Sequence, residues 1–422
     1  MSFYLIETNE QLKNFHLGGY EDIFIEIIPY SYKEHPSQNE ISLIYIRPWQ
    51  APKGYIVAIS HSESLVCDIS HVSRVILGIK TVYVKDRKEF LNYFPLPNVI
   101  DLTMDFPDFK IEYTKAHKWL SQKYPDKKDI NRIIPIVKHY EYCEKLFDLL
   151  QSQKNKEFNG FLNNTASIVF SAIERNGIKV DKEKFEKSFH PIDSDYVYTQ
   201  YNFKTVTTRP SNSFKGVNYA ALNKKNKDRE CFIPRNDTFI ELDISGYHPT
   251  LLGKLINYKF DNGGVHESFA KMYGTNYEQA KKITFKQMYG EIFEEYKDLE
   301  FFKGMTKFID ELWDKFQTEG YIECPISKHR FYRDKLDNMN PQKLLSYHLQ
   351  RLETSLNVLM LWDILKLMVG KKSVLVLYVY DSILIDYNES EKELLEDIKN
   401  VFTKNKLKIK TTRGLSYGEM VI

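Results

Sequence analysis

The stretch "FIELDISGYHPTLLG", residues 239–253, carries an apolar strand that ends in a carboxylate and leads directly into a helix. The apolar run predicts a β-strand as far as Asp243. Pro249 is tolerated in the first turn of a helix, where its missing N–H has no intrahelical partner to lose, so a helix is predicted to follow. The sequence therefore predicts that Asp243 lies at a strand-to-helix corner.

A second aspartate follows the apolar run of residues 374–380, and the chain then resumes as "ILID". This pattern is typical of a hairpin whose tip holds one carboxylate, Asp381. Taken singly, each aspartate is equally typical of a helix N-cap or a turn. Together, carboxylates on adjacent strand ends can share two Mg²⁺ ions about 4 Å apart, the arrangement that promotes phosphoryl transfer.

Between the two strands, "KKITFKQMYGEI" at residues 281–292 places Lys281, Phe285 and Tyr289 at steps of four. In a helix these positions fall on nearly one face. An ordinary amphipathic helix with Ile283 and Met288 buried would also fit. Beside two metal-binding carboxylates, however, the lysine would supply positive charge for a triphosphate and the phenylalanine a surface for base stacking.

The composition is that of a globular protein of two or three domains, since the chain has 422 residues and domains commonly hold roughly 100 to 200. Its apolar runs are far shorter than the roughly 20 residues of a membrane span, and the N-terminus lacks a signal-peptide pattern. We therefore expect a cytoplasmic protein with no membrane partner. The four scattered cysteines form no CxxC pair, which argues against a zinc site or a disulfide framework.

The organisation along the chain changes near residue 155. Residues 20–85 alternate short β-type runs with polar turns and residues 115–153 favour helices, which together predict an α/β domain. A polar, lysine-rich stretch at 151–160 is the predicted linker. The following helix is predicted to end at Gly177. A net charge of +2 says little about partners, although the basic cluster at 224–229 predicts a local electropositive surface.

These three segments resemble motifs of the family A (DNA polymerase I-like) DNA polymerases. The segment around Asp243 is similar to motif A, and Lys281, Phe285, Tyr289 and Gly290 fit motif B, K-x3-(F/Y)-x3-Y-G, at every position. Motif C usually reads His-Asp-Glu, and here Tyr-Asp-Ser at 380–382 takes its place. Further resemblances lie in "TVTTRPS" at 205–211, "GYIECPISKHR" at 320–330, Gln350, "AIERNGIKVD" at 172–181 and "VHESFAKMYG" at 265–274.

The resemblance implies a mixed α/β and α+β architecture of a compact, phage-like or mobile-element kind. A right-hand polymerase palm and fingers with a reduced thumb would follow an α/β ribonuclease H-like domain of exonuclease type. The implied bounds are 1–153 for the exonuclease-like domain, 160–204 for an opening helix and reduced thumb, and 205–422 for palm and fingers, with the fingers at about 255–318.

The resemblance also implies the site. Two Mg²⁺ ions, for which Mn²⁺ can substitute, would be held by Asp243, Asp381 and the carbonyl of Ile244. The partners would be primer–template DNA, deoxynucleoside triphosphates and an accessory or processivity protein. The nucleotide would contact Lys281, Lys282, His266, Phe285, Tyr289 and His248, and the DNA would contact Thr207, Arg209, Ser211, Gln350, Arg330 and Tyr380.

Four departures from the family pattern carry expectations of their own. Tyr277 replaces the arginine that opens motif B, so one contact to the triphosphate is either missing or moved to Lys282. His248 replaces the glutamate that excludes the ribose 2′-hydroxyl and is the predicted sugar gate. Only 24 steps separate residues 181 and 205, so the thumb is predicted to be nearly absent. The exonuclease strand has Glu26 without a second acid two residues later, which favours a vestigial or altered, inactive domain over a weakly active one and leaves Asp86 and Asp101 as surface acids.

Two other functions remain open from the sequence. A single-subunit RNA polymerase shares the palm and often has His-Asp-Ser at motif C, but Phe285 and His248 argue against it because those enzymes leave room for the 2′-hydroxyl. A non-catalytic nucleic-acid-binding subunit built on a decayed polymerase is disfavoured because both aspartates and Lys281 are present.

Overall fold

The computed structural model describes residues 3–104, 128–154, 159–223, 227–261 and 264–422. The chain divides into two compact units, Met1–Ser171 and Ala172–Ile422. Lys224 and Lys225 of the predicted basic surface lie outside the described residues, as does part of the helical region predicted at 115–153. In the described parts of the chain, no helix is both long enough and apolar enough to cross a bilayer.

The first unit is built on one mixed sheet of six strands in the order β1-β4-β3-β2-β5-β6. The pairs β2–β3 and β3–β4 are antiparallel, whereas β1–β4, β2–β5 and β5–β6 are parallel. The elements are β1 (Tyr4–Ile6), β2 (Asp22–Pro29), β3 (Ile41–Pro48), β4 (Tyr55–Ala58), β5 (Thr81–Val84), β6 (Val99–Asp101), α1 (Asn9–Asn14), α2 (Ile69–Leu77), α3 (Arg87–Tyr93) and α4 (Ile136–Leu150).

Both faces of this sheet are covered, which explains the nearly continuous apolar run of β2. Side chains alternate across a strand. Ile23, Ile25 and Ile27 accordingly join one core cluster, while Phe24 and Ile28 join the cluster on the opposite face with α4. The predicted α/β character of this region is therefore confirmed.

The expectation that Asp101 is a surface acid is wrong. Its side chain is fully buried at the end of β6, where it accepts hydrogen bonds from the backbone N–H groups of Arg87 and Thr103 and from the Thr103 hydroxyl. A buried carboxylate needs such partners to offset its desolvation. Asp86 is a helix cap, because its carboxylate accepts a bond from the N–H of Glu89 at 3.0 Å.

The second unit contains a four-stranded antiparallel sheet in the order β15-β16-β12-β17. Helix α5 (Ser167–Asn176) spans the division between the units, and Gly177 follows it with a φ of +60° as predicted. The strands are β7 (Ile178–Lys179), β8 (Tyr196–Val197), β9 (Tyr201–Asn202), β10 (Ser211–Phe214), β11 (Val217–Asn218), β12 (Thr238–Ile244), β13 (Tyr321–Glu323), β14 (Arg330–Tyr332), β15 (Val374–Val379), β16 (Ser382–Tyr387) and β17 (Ile409–Gly414).

The helices of this unit include a long one, α11, which packs against four others, α7, α9, α10 and α12. Their bounds are α6 (Lys182–Ser188), α7 (Tyr247–Leu255), α8 (Val265–Tyr273), α9 (Tyr277–Tyr289), α10 (Glu300–Glu319), α11 (Pro341–Leu367) and α12 (Lys392–Lys404). Residues 181–205 are all described, and they hold only α6 and the short strands β8 and β9. The domain bounds and the reduced thumb remain predictions.

Candidate functional site

Two paired strands carry the two aspartates to the same end of the four-stranded sheet. Asp243 on β12 lies opposite Ser382 on β16. Next to this pair, the backbone N–H of Ile244 donates to the carbonyl oxygen of Asp381 at 2.8 Å. Tyr380 turns the β15–β16 hairpin with a φ of +55°, a conformation that tyrosine adopts only where its surroundings hold it there. The register therefore makes the two aspartates neighbours.

Asn357 on α11 holds the hairpin tip against α7. Its amide nitrogen donates to the carbonyl of Tyr380 at 2.7 Å and to the hydroxyl of Tyr378 at 2.9 Å. Its amide oxygen accepts from the hydroxyl of Tyr247 at 2.7 Å. The side chain is buried, so these bonds have little competition from water. The sequence interpretation missed this residue.

The surroundings of Asp381 disfavour its negative charge. Although its carboxylate reaches solvent, the protein atoms around it and the negative charge of Glu353 raise its pKa, and Arg209 opposes this only in part. A carboxylate that is crowded by protein and by another carboxylate gains from a nearby positive charge. An ion bound there would therefore relieve an existing electrostatic cost.

The side chains present fit a hard divalent cation but do not enclose it. Among the described residues, no cluster of three or more His, Cys, Asp or Glu side chains is arranged to hold a metal. Mg²⁺ is commonly held by one or two carboxylates, with phosphate oxygens and waters completing its octahedron. The pair of aspartates fits that incomplete type of site.

On α9, the stripe formed by Lys281, Phe285 and Tyr289 lies beside the buried face of the helix. Ala280, Thr284, Gln287 and Met288 point into the protein, whereas Lys281 is exposed. The rings of Phe285 and Tyr289 stack with centroids 6.1 Å apart and planes at 20°. Lys282, also exposed, follows Lys281 directly, and Tyr277 begins the helix. The helix is thus amphipathic and still presents a cation and two rings outward.

His266 on α8 is 3% exposed. Its ring lies 5.3 Å from that of Tyr277 and 6.3 Å from that of Phe285. Burial lowers its pKa, and the charge of Lys281 lowers it further. Its Nδ1 is buried and has no hydrogen-bond partner among the described residues. The predicted phosphate ligand therefore lies within the packing between α8 and α9.

His248 joins three helices. It follows Asp243 by five residues on α7 and is buried. Its Nε2 lies 2.7 Å from a carboxylate oxygen of Glu353 on α11, and its Nδ1 is hydrogen-bonded to the hydroxyl of Tyr289 on α9. Helix α9 and the strand-to-helix corner after Asp243 therefore belong to one site.

Comparisons with known proteins agree with this geometry at the level of the fold. No protein-family model and no curated protein matches the sequence. Among solved structures, the chain is similar to the POL domain of Pol1 from M. smegmatis, described as a complex with DNA primer-template and dNTP. The TM-score is 0.66 at 12% identity, over 97% of this chain and 98% of that one. The chain has a polymerase-domain fold. The mixed α/β architecture implied by the sequence is confirmed at this level.

Within this polymerase fold, Arg209 is the one predicted DNA contact that lies directly beside the hairpin. Its guanidinium carbon is 3.8 Å from the ring centroid of Tyr380, and its Nε lies 3.4 Å from a carboxylate oxygen of Glu353. Arg209 is half-buried, so its charged edge still reaches water. The structure thus brings Arg209, Tyr380 and the aspartates together.

The other predicted DNA contacts are more dispersed in the polymerase fold. Thr207 is buried, and Ser211 is exposed at the start of β10. Gln350 on α11 donates to the hydroxyl of Ser346 at 3.1 Å. Arg330 lies on β14, where it is paired with Glu323 of β13 at 3.0 Å and is exposed. The described contacts do not connect Arg330 to the aspartates.

Glu353 and Asn357 are functional candidates that the sequence interpretation missed. They follow Gln350 by three and seven residues, which is the spacing of a single helix face. That spacing could have indicated both residues once Gln350 had been selected. Both are almost fully buried, and buried polar residues are retained where they have hydrogen-bond partners.

Proposed function

We propose that this protein is a template-directed DNA polymerase that adds deoxynucleotides to a primer 3′ end. The observation that supports it most is the hydrogen bond between His248 and Tyr289, because it joins the cation–aromatic helix to the corner that follows Asp243. The fold shared with the POL domain is the second support, and that domain was solved with primer-template and dNTP.

In this proposal Asp243, Asp381 and the carbonyl of Ile244 hold two Mg²⁺ ions, with Mn²⁺ able to substitute. Such ions supply a lower pKa for the primer 3′-hydroxyl and offset charge on the departing pyrophosphate. The two carboxylates fix where the reacting phosphate is held, because their strands are locked in register. A bound cation would lower the pKa of Asp381, which the surrounding protein and the charge of Glu353 raise here.

The nucleotide would lie along α9. Lys281 and Lys282 would bind the triphosphate, since both are exposed at the start of the stripe. Phe285 and Tyr289 would bracket the nascent base pair. His266 would reach a phosphate only if its ring became uncovered, because it is buried here.

A DNA polymerase must also reject ribonucleotides, and we propose His248 as the sugar gate. His248→Ala and His248→Gly should admit ribonucleotides because the clash with the 2′-hydroxyl is relieved, and should lower the thermal midpoint because Glu353 and Tyr289 lose their bonds to the ring. The measurement is the ratio of kcat/KM for dNTP and for rNTP on one primed template. Unchanged discrimination would move the gate to Tyr247 or another residue.

We infer that the first unit is a ribonuclease H-like exonuclease fold without activity. Support comes from its sheet order and from Glu26 on β2, which is buried and paired with Lys85 at 2.5 Å. Lys85 supplies the positive charge that a metal would supply. The position two residues after Glu26 is Ile28, a buried core residue. A primer labelled at its 5′ end should therefore stay intact with Mg²⁺ and no nucleotide.

One experiment separates the candidate functions. Primed and unprimed templates are incubated with dNTP or NTP and Mg²⁺. Extension of the primer with dNTP supports the proposal. Preferential use of NTP, with or without a primer, would indicate a single-subunit RNA polymerase, and DNA binding without any nucleotide addition would indicate a non-catalytic subunit.

A further inference from the structure

The buried carboxylate of Glu353 is an unusual feature of the site. The residue is 1% exposed and lies in the middle of α11. A buried carboxylate is costly unless it is paired and hydrogen-bonded. Its partners are His248 on α7 and Arg209, at 2.7 Å and 3.4 Å. Both partners already have places in the proposed function, the first at the sugar and the second at the DNA.

With a neutral imidazole at His248, the hydrogen-bonding capacities set the direction of the chain from Tyr289 to Glu353. An ionised carboxylate only accepts hydrogen bonds, so Nε2 of His248 carries the proton and donates to Glu353. In the neutral imidazole Nδ1 then accepts, and the hydroxyl of Tyr289 must donate to it. The surrounding protein and the charge of Glu353 raise the pKa of Tyr289, so that hydroxyl keeps its proton at neutral pH.

This chain holds the ring of His248 at both nitrogens. A histidine bonded at one nitrogen can rotate about its side-chain torsions, whereas bonds at both edges select one orientation. A nucleotide with its phosphates at Lys281 and its base on Phe285 would place its sugar towards the aspartates, where His248 lies. The orientation of the ring would then decide whether a 2′-hydroxyl fits.

We propose that Glu353 is a positioning residue for sugar selection: its carboxylate holds His248 in the orientation that excludes a ribose 2′-hydroxyl. This inference rests on the proposed polymerase function. It predicts that the reach of the side chain at position 353, and not its charge, determines discrimination.

The test compares Glu353→Ala, Glu353→Asp and Glu353→Gln in the full chain. For each variant, kcat and KM are measured for dNTP and rNTP on one primed template, together with the thermal midpoint. In Glu353→Ala the preference for dNTP should fall by at least about tenfold, mainly through a lower KM for rNTP, because Nε2 loses its acceptor. Glu353→Asp should also lose preference, since its carboxylate is one methylene shorter.

Glu353→Gln should keep a preference within about threefold of wild type, because its amide oxygen reaches as far and still accepts from Nε2. Glu174→Gln is the matched control: Glu174 is another buried glutamate of this unit, whose carboxylate accepts from the N–H of Tyr201. It should leave the preference unchanged. In a His248→Ala background, Glu353→Asp should add nothing further, because coupled residues are non-additive.

The outcomes are distinct. A lower thermal midpoint with an unchanged preference for dNTP in Glu353→Ala would show that Glu353 has a purely structural role, and would overturn the inference. If Glu353→Ala does not fold, equal preferences in Glu353→Asp and Glu353→Gln would overturn it instead. Wild-type protein that adds no nucleotide would overturn the proposed function itself, which is a separate failure.

Discussion

At the scale of the residue, the proposed chemistry depends on two carboxylates that neighbouring strands hold side by side. Asp243 is half-buried and Asp381 is exposed, so both can be changed without opening the hydrophobic core. The β12–β16 pairing fixes the backbone of Asp243, and the bond from the N–H of Ile244 fixes the backbone of Asp381. Function and folding are therefore separable at these positions.

Asp243→Asn and Asp381→Asn should each abolish nucleotide addition while leaving the thermal midpoint and DNA binding nearly unchanged. Losing a ligand for an ion that stabilises developing charge costs several kcal/mol of barrier, about tenfold in rate per 1.4 kcal/mol. Primer extension under single-turnover conditions is the measurement. Asp363→Asn, an exposed acid on α11, serves as the control. A variant that keeps more than about a tenth of the wild-type rate would exclude that aspartate as a principal ligand.

Glu26 gives a prediction about pH. Burial raises the pKa of Glu26 from 4.5 to about 7, although the charge of Lys85 acts in the opposite direction. The folded protein thus binds this proton more tightly than the unfolded chain does. The resulting stabilisation is complete below the unfolded pKa of 4.5 and is lost as the pH rises through about 7.

Glu26→Gln cannot titrate, so the thermal midpoint of wild type relative to this variant should fall between about pH 5 and about pH 7.5. Thermal melts of both proteins at the two pH values measure it. Glu141→Gln, at a half-buried position of α4 that pairs with Lys138, should show no such trend. A relative midpoint that instead rises with pH would mean that the ion pair with Lys85 outweighs burial.

At the scale of the element, the β15–β16 hairpin is positioned by the helix behind it. Asn357 bonds both to Tyr247 of α7 and to Tyr378 and Tyr380 of the hairpin. If the bonds from Asn357 are lost, β15 and β16 can stay paired while the tip between them moves. The tip carries Asp381, so its position should affect the rate more than the binding of nucleotide.

Asn357→Ala should lower both stability and kcat. Each buried polar group that loses its partner costs roughly 1–3 kcal/mol, and the tip of the hairpin loses its anchor. The expected result is a clearly lower thermal midpoint and a fall in kcat that exceeds any change in the KM for dNTP. Asn405→Ala, which loses one bond to the carbonyl of Val401 on α12, is the control. Equal effects of the two substitutions on kcat would refute a positioning role.

At the scale of the whole molecule, the short segment between residues 181 and 205 limits how DNA is held. A thumb binds duplex DNA through phosphate contacts, and each contact adds to a salt-dependent affinity. Here the segment holds only α6, β8 and β9. Within the described part of the predicted basic surface, Arg229 is engaged with the carbonyl of Leu222 and the ring of Tyr417.

We therefore expect weak primer–template binding and few additions per encounter. Products should stay short when an excess of trap DNA prevents rebinding, and synthesis should fall steeply between low and physiological salt. A processivity or accessory protein would then be needed in the cell. Extension by hundreds of nucleotides per binding event would show that another element or the first unit holds the duplex.

Much of the fold and part of the site could be predicted because the signals are local. Spacings of a few residues indicate the strand ends, the hairpin turn and the helical steps of Lys281, Phe285 and Tyr289. The structure has each of these elements where expected. The resemblance to polymerase motifs added their order along the chain. The mutual placement of Asp243 and Asp381 followed from two such local patterns.

The sequence by itself determined which residue types occur on strand ends and helix faces, since those periodicities depend only on backbone geometry. Tertiary structure decided what each polar side chain contacts. His248 and Glu353 lie 105 positions apart, and no local pattern distinguishes a buried partner from a solvated acid. For the same reason Asp101 was expected at the surface, whereas packing buries it. Burial depends on which elements pack together, and that is settled only when the whole chain has folded.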